Sequence, residues 1–233
     1  MTAIEIEAHL KHLQSRIQQA KDRFGRTQDN ITLVAVSKTR PKSAVLAAYE
    51  LGIRHFGENY LQEALTKIPD TVNLNLQWHF IGSIQSNKTN LIAKHFSWVH
   101  TVDRITIAQH LNESRSNTEL QPLNVCIQVN ISDEVQKSGV SLAELPELAN
   151  AISKLPFLRL RGLMGMSKED MSFEEQRACF RKLHEALLHL QKTYPELDTL
   201  SMGMSDDFEA AIAEGATLLR IGTALFGPKV LRV

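Results

Sequence analysis

Cysteine is scarce in this sequence: two residues, Cys126 and Cys179, lie far apart in a chain of 233. Two thiols so placed build neither a disulfide framework nor a four-ligand zinc site, and they suit a reducing compartment. An excess of either charge is also missing. Lysine plus arginine number 26 against 26 acidic residues, so there is no basic field to hold nucleic acid or an anionic membrane. The most basic local stretch, Lys154 to Arg161, reads as a solvated edge between a helix and a strand. No apolar run reaches the ~20 residues of a membrane span. The first ten residues carry Glu5 and Glu7 and lack the basic and apolar regions of a secretory leader. The expectation is a soluble, cytoplasmic protein with no nucleic-acid or membrane partner. GxGxxG, Walker A, HExxH, CxxC and GxSxG are absent too. Gly162 to Lys168 has a superficial likeness to a phosphate loop but the wrong spacing, and reads as a strand end and its turn.

What remains is an ordinary globular composition, 43% hydrophobic and 22% charged, which suffices for a sizeable core. Apolar residues at Leu10, Leu13, Ile17, Ala20 and Phe24 recur in steps of three and four, one stripe of a helix that Gly25 stops. Eight short apolar runs follow: Ile31–Ser37, Arg54–Gly57, Trp78–Ile81, Trp98–Thr101, Asn124–Asn130, Leu160–Met164, Leu200–Met202 and Leu218–Ile221. Several are continuous rather than alternating, as strands buried on both faces require. Helical patterns separate them. Pro41 opens one that Gly52 closes. Ser141 with Glu144, and Ser172 with Glu175, have capping-box spacing. Ser205 before Asp206 and Asp207 has the form of an N-cap.

Strands alternating with helices, with no linker of low complexity, predict one α/β domain over 1–233: a single (β/α)8 TIM-type barrel with an extra N-terminal helix. An open doubly wound sheet is the competing arrangement. The N-terminal helix is expected to cover the barrel where strand eight has no full helix after it. No exposed apolar stripe demands a partner copy, so a monomer is the default.

In a parallel barrel the working residues follow the C-terminal ends of the strands. Lys38 stands directly after Leu33-Val34-Ala35-Val36-Ser37. It either snorkels to solvent or serves as an amine whose desolvation favours attack on a carbonyl. Ser201-Met202-Gly203-Met204-Ser205 and Gly222-Thr223 bring hydroxyls and glycine backbone to the seventh and eighth strand ends, where such barrels often hold phosphate. Ser205 alone reads equally as a helix cap, and Gly222 as a tight turn. Arg220, between Leu219 and Ile221, needs an acceptor, either a carboxylate or a ligand atom. His79 is either a base or a satisfied core histidine.

Several strings then occur in a characteristic order. They are Ala35-Val36-Ser37-Lys38-Thr39, Phe56-Gly57-Glu58-Asn59-Tyr60, Trp78-His79-Phe80-Ile81-Gly82 and Gln85-Ser86-Asn87-Lys88. After them come Gln128-Val129-Asn130, Lys137-Ser138-Gly139, Arg161-Gly162-Leu163-Met164, Leu200-Ser201-Met202-Gly203-Met204-Ser205-Asp206-Asp207 and Arg220-Ile221-Gly222-Thr223-Ala224. Together the chain resembles the pyridoxal phosphate homeostasis proteins, from residue 35 onward. Gly165-Met166 departs from the pattern, which more often has Ala or Thr and then an aliphatic residue.

The resemblance implies an alanine-racemase-like (fold type III) barrel with pyridoxal 5'-phosphate as a Schiff base on Lys38. It implies phosphate contacts from Ser201, Gly222 and Thr223 with Ser205 or its backbone, Asn59 and His79 on the ring side, and Arg220 at the pyridine nitrogen. A cation there disfavours protonation of that nitrogen and weakens the electron sink. The function so implied is a non-catalytic carrier or regulator of the cofactor, with pyridoxal-phosphate-dependent apo-enzymes as candidate recipients. A pyridoxal-phosphate-dependent racemase or related enzyme is the alternative, although the barrel leaves no residues for the second domain of a racemase. A cofactor-free Schiff-base lyase or aldolase leaves the phosphate cradle unexplained.

Overall fold

In a computed structural model of the chain, residues 2–132 and 138–228 are described. Lys137 of the Lys137-Ser138-Gly139 string therefore lies outside the described residues. Eight strands run β1 Thr32–Val36, β2 His55–Glu58, β3 Gln77–Phe80, β4 Trp98–Val102, β5 Leu123–Gln128, β6 Leu158–Met164, β7 Thr199–Ser201 and β8 Leu218–Ile221. Each pairs in parallel with the next, and β8 pairs with β1, which closes the barrel. The open doubly wound sheet is thereby excluded. The apolar runs of the sequence coincide with the strands because each is bounded by polar or glycine-containing turns that cannot continue it.

The helices are α1 Ala3–Arg23, α2 Lys42–Glu50, α3 Leu61–Ala64, α4 Thr89–His95, α5 Ile105–Ser116, α6 Leu145–Ile152, α7 Phe173–Gln191, α8 Phe208–Ala213 and α9 Thr223–Phe226. The first starts earlier than its stripe suggested, at a capping box in which the Thr2 hydroxyl accepts the Glu5 N–H. Ile6, Leu10, Leu13 and Ala20 bury its inner face, and it packs on α2, α8 and the four-residue α9. The expected cover beside the last strand is in place.

Ser172 and Glu175 cap α7 reciprocally. Ser141 and Glu144 make the same reciprocal bonds, but in the turn before α6, whose first residue is Leu145. The Ser205 cap is not formed. Asp207 occupies the N-cap of α8 and its carboxylate accepts the Met204 N–H at 2.6 Å. Ser205 Oγ instead accepts the Ala224 N–H at 3.0 Å, tying the loop after β7 to the turn after β8. The Asp207 and Phe208 N–H groups that a Ser205 cap would take donate instead to Met204 O, at 3.3 and 3.0 Å.

The main core lies between the sheet and the helices. Ala35, Phe56, Phe80, Val99, Val125, Ile127, Leu163, Leu200, Leu219 and Ile221 face outward into it. Their neighbours along each strand point inward, as the period of two requires. Among the described residues, no helix is long and apolar enough to cross a membrane.

Candidate cofactor site at the barrel mouth

Lys38 follows the C-terminal end of β1 and is half-buried. Its neighbours on both sides are pinned. The Ser37 N–H donates to Gly57 O at 3.0 Å, and the Ser37 hydroxyl donates to Glu58 Oε1 at 2.6 Å. Lys67, 3% exposed, donates from one ammonium to Ser37 O at 2.8 Å, Glu58 Oε1 at 2.7 Å and Glu63 Oε1 at 2.7 Å. On the other side, Thr39 has φ 63°, a left-handed backbone that a β-branched residue seldom adopts. Its N–H donates to Glu63 Oε1 at 2.6 Å. Strain of this kind persists only when its surroundings over-determine it, and here a buried ion cluster does so. Burial pushes the Glu58 carboxyl above its ordinary range, against the lowering pull of Lys67 and Ser37. Glu58 Oε2 is buried with no hydrogen-bond partner.

Asn59 follows β2 at the same rim. Its Oδ1 is buried and unpartnered, and it borders a cavity of about 630 Å³ with Tyr60, Gln62, Ser83, Gln85 and Lys88. Its main chain sits against Gly82. A Cβ at Gly82 would stand 2.0 Å from Asn59 O, so the two loop backbones meet only because that residue is glycine.

Gly222 and Thr223 form the turn after β8. A Cβ on Gly222 would lie 3.6 Å from Val36, which places the turn beside the strand end that bears Lys38. Ser205 joins this rim through Ala224.

Ser201, His79 and Arg220 lie lower, inside the barrel and buried. Arg220 donates from one terminal nitrogen to Ser201 Oγ at 2.7 Å and from the other to Gly165 O at 3.1 Å. No ion pair of Arg220 exists among the described residues, so its acceptors are a hydroxyl and a carbonyl rather than the carboxylate that was one expectation. Burial pushes the guanidinium down to about 10, against the pull of Asp207, so it stays charged at neutral pH. At Gly165, the departure from the resembling pattern, a Cβ would stand 2.8 Å from Ile131 and 3.1 Å from Leu183. The glycine suits the packing at the carbonyl that holds Arg220.

His79 contacts other histidines. Its Nε2 is 2.9 Å from His55 Nδ1, and its Nδ1 is 2.9 Å from His100 Nε2. His100 Nδ1 is 2.7 Å from Ser201 Oγ. Burial holds His79 well below its ordinary value, with His100 and His55 adding to it, and burial with the nearby charge of Arg220 holds His100 at about 3. Beneath the chain, at the N-terminal end of the barrel, a cavity of about 250 Å³ is lined by His55, Thr32, Trp98, Arg161, Asp198 and Thr217 among others. Arg161, at the end of the basic stretch, is not a solvated edge residue. It donates to Asp198 Oδ1 at 3.0 Å and stacks 4.8 Å above the Trp98 ring.

The strands thus bring Lys38, Asn59, Ser205, Gly222 and Thr223 to the rim, and set Ser201, Arg220 and His79 below it. Sequence reasoning missed His55, His100, Lys67 and Glu63. The histidines had a usable signal, one histidine at an inward position on each of three successive strands. Among the described residues, no group of three or more His, Cys, Asp or Glu could hold a metal ion.

The alanine racemase N-terminal domain family matches residues 8–230. The pyridoxal phosphate homeostasis protein of Escherichia coli (strain K12) is 51% identical over 228 residues, 97% of each chain. That of Pseudomonas aeruginosa is 54% identical over 224 residues, 96% of each. PipY of Synechococcus elongatus PCC7942, solved with pyridoxal phosphate bound, superposes with a TM-score of 0.83 at 34% identity, over 95% of this chain and 100% of that one. Alanine racemase from Corynebacterium glutamicum shares the fold, with a TM-score of 0.69 at 16% identity, over 99% of this chain and 62% of its own. The chain belongs to the alanine racemase N-terminal domain family and, within it, to the pyridoxal phosphate homeostasis proteins.

Proposed function

We propose that this protein binds pyridoxal 5'-phosphate at the C-terminal mouth of the barrel and serves the homeostasis of that cofactor, without turnover of a substrate of its own. Lys38 would be the covalent anchor, its amine holding the cofactor through the aldehyde carbon. Gly222, Thr223 and Ser205 would hold the phosphate, Asn59 would line the ring, and Arg220 would meet the ring nitrogen. The observation that carries the reading is Arg220. A buried guanidinium has five N–H groups to satisfy, and here it is held by two neutral acceptors, two residues before the glycine turn beside Lys38. The unpartnered Asn59 Oδ1 is a second fit, an acceptor for a ligand donor.

When bound, the cofactor draws electrons from groups attached to its aldehyde carbon, most strongly when its ring nitrogen is protonated. The charge of Arg220 opposes that protonation, which favours holding over turnover. The relatives matched nearly end to end carry the homeostasis name, which supports the same reading. The protein so proposed works in the cytoplasm as a monomer and delivers cofactor to apo-enzymes.

Spectroscopic titration of pyridoxal phosphate into wild type and Lys38→Ala tests the anchor. Wild type saturates at one equivalent, and the folded variant shows no saturable spectral change. An unchanged titration in the variant moves the anchor elsewhere. Loaded protein kept with L-amino acids should yield neither D-isomer nor keto acid above background; robust formation of either overturns the non-catalytic reading.

A further inference from the structure

His55, His79, His100, Ser201 and Arg220 make an unbroken hydrogen-bonded line through the barrel, from the lower cavity to the guanidinium below the mouth. The successive separations are 2.9, 2.9, 2.7 and 2.7 Å. His79, His100 and Ser201 are 0% exposed, and Arg220 is 4% exposed. The line occupies inward positions on β2, β3, β4, β7 and β8, where neighbouring inward residues such as Val34, Val36, Cys126 and Leu218 offer apolar surface.

Neutral imidazole donates at one ring nitrogen and accepts at the other. A chain of neutral rings therefore has two polarities, and choosing one proton fixes all the others. In the first, the Ser201 hydroxyl donates to His100 Nδ1, His100 Nε2–H donates to His79 Nδ1, and His79 Nε2–H donates to His55 Nδ1. In the second, every proton points the other way, and Ser201 Oγ receives N–H groups from both Arg220 and His100. Arg220 decides between them. Its positive charge favours the polarity whose negative dipole ends face it, and burial strengthens that preference. That is the first polarity.

We propose that Ser201, His100 and His79 are positioning residues for Arg220. They form a hydrogen-bond line of fixed direction that holds the guanidinium at the cofactor ring nitrogen and commits the Ser201 proton to His100. Ser201 then has no proton to give a phosphate. Its lone pair receives Arg220 and its O–H serves the histidine below. The phosphate falls to Gly222, Thr223 and Ser205 alone. This assignment rests on the pyridoxal phosphate reading for the identity of the group above Arg220, while the direction of the line does not.

Two experiments test it. The first uses wild-type protein without added cofactor and needs no variant. Long-range ¹⁵N–¹H correlation spectra of the ring nitrogens should show His55, His79 and His100 all in the Nε2–H form. Protonation of His100 or His79 at Nδ1 would overturn the fixed direction. The second compares pyridoxal phosphate with pyridoxal, which lacks the phosphate, in wild type and Ser201→Ala. A positioning role acts through the ring, so both ligands weaken by the same factor, roughly tenfold for one charge-assisted hydrogen bond. Loss confined to pyridoxal phosphate makes Ser201 a phosphate ligand and overturns the assignment. Wild type that binds neither ligand overturns the cofactor reading instead, while the tautomer result still stands by itself.

Discussion

The two faces of the barrel sheet follow opposite chemistry. Outward, Ala35, Phe56, Phe80, Val99, Leu200 and Leu219 enter an apolar layer closed by the helices. Inward, one residue away on the same strands, stand His55, His79, His100, Ser201 and Arg220. These outward residues are satisfied by burying area. The inward face holds groups that must find specific partners, because a buried polar atom left unpaired costs more than an apolar one in its place. The apolar layer and the hydrogen-bonded line are thus separated by a single step of the strand period.

The largest expected effect lies on the outward face. Phe56 is 0% exposed and its ring centroid lies 5.6 Å from that of Trp78. Phe56→Ala should lower the unfolding free energy by about 3–5 kcal/mol, measured in urea, while the protein that remains folded binds cofactor as before. A comparable loss of affinity would dissolve the separation of the two faces.

The inward face should reveal itself in pH dependence. The folded value of His100 is about 3, against an ordinary 6.5, so the unfolded chain takes up this proton first as pH falls. Stability from the neutral ring is complete above about pH 6.5 and declines as pH drops towards the folded value. The decline attributable to one such histidine approaches about 1.4 kcal/mol per pH unit. The charged group facing His100 is Arg220, and its neighbours are His79 and Ser201, so no carboxylate offsets the sign. His100→Gln should flatten the slope of stability between about pH 6 and pH 4 by up to one proton; an unchanged slope would show that the ring titrates freely in the folded protein.

A smaller effect belongs to the helix layer. Ser172→Ala removes the cap of α7 and should cost about 1 kcal/mol. Cofactor affinity should not move with it.

The outward face was also the legible one. Apolar runs bounded by turns announce strands whatever their partners are, so all eight are legible in the sequence. The rim residues Lys38, Asn59, Gly222 and Thr223 were legible because a strand end is a local property. Ser205 has the form of a cap but is not one, because the Asp207 and Phe208 N–H groups it would take donate to Met204 O. The histidine line was hidden because it depends on register across strands distant in sequence: His100 and Ser201 are bonded across 101 residues. Lys67 was hidden for a related reason. Its value lies in three acceptors brought together by β1, β2 and α3, none of which marks a lone lysine in a sequence.

Reductive trapping tests the Lys38 anchor most directly. Protein loaded with pyridoxal phosphate is treated with borohydride, digested, and mapped by mass spectrometry. A single stoichiometric adduct is expected on Lys38, with Lys67 and Lys88 unmodified. A principal adduct on any other lysine, with Lys38 recovered intact, would contradict it.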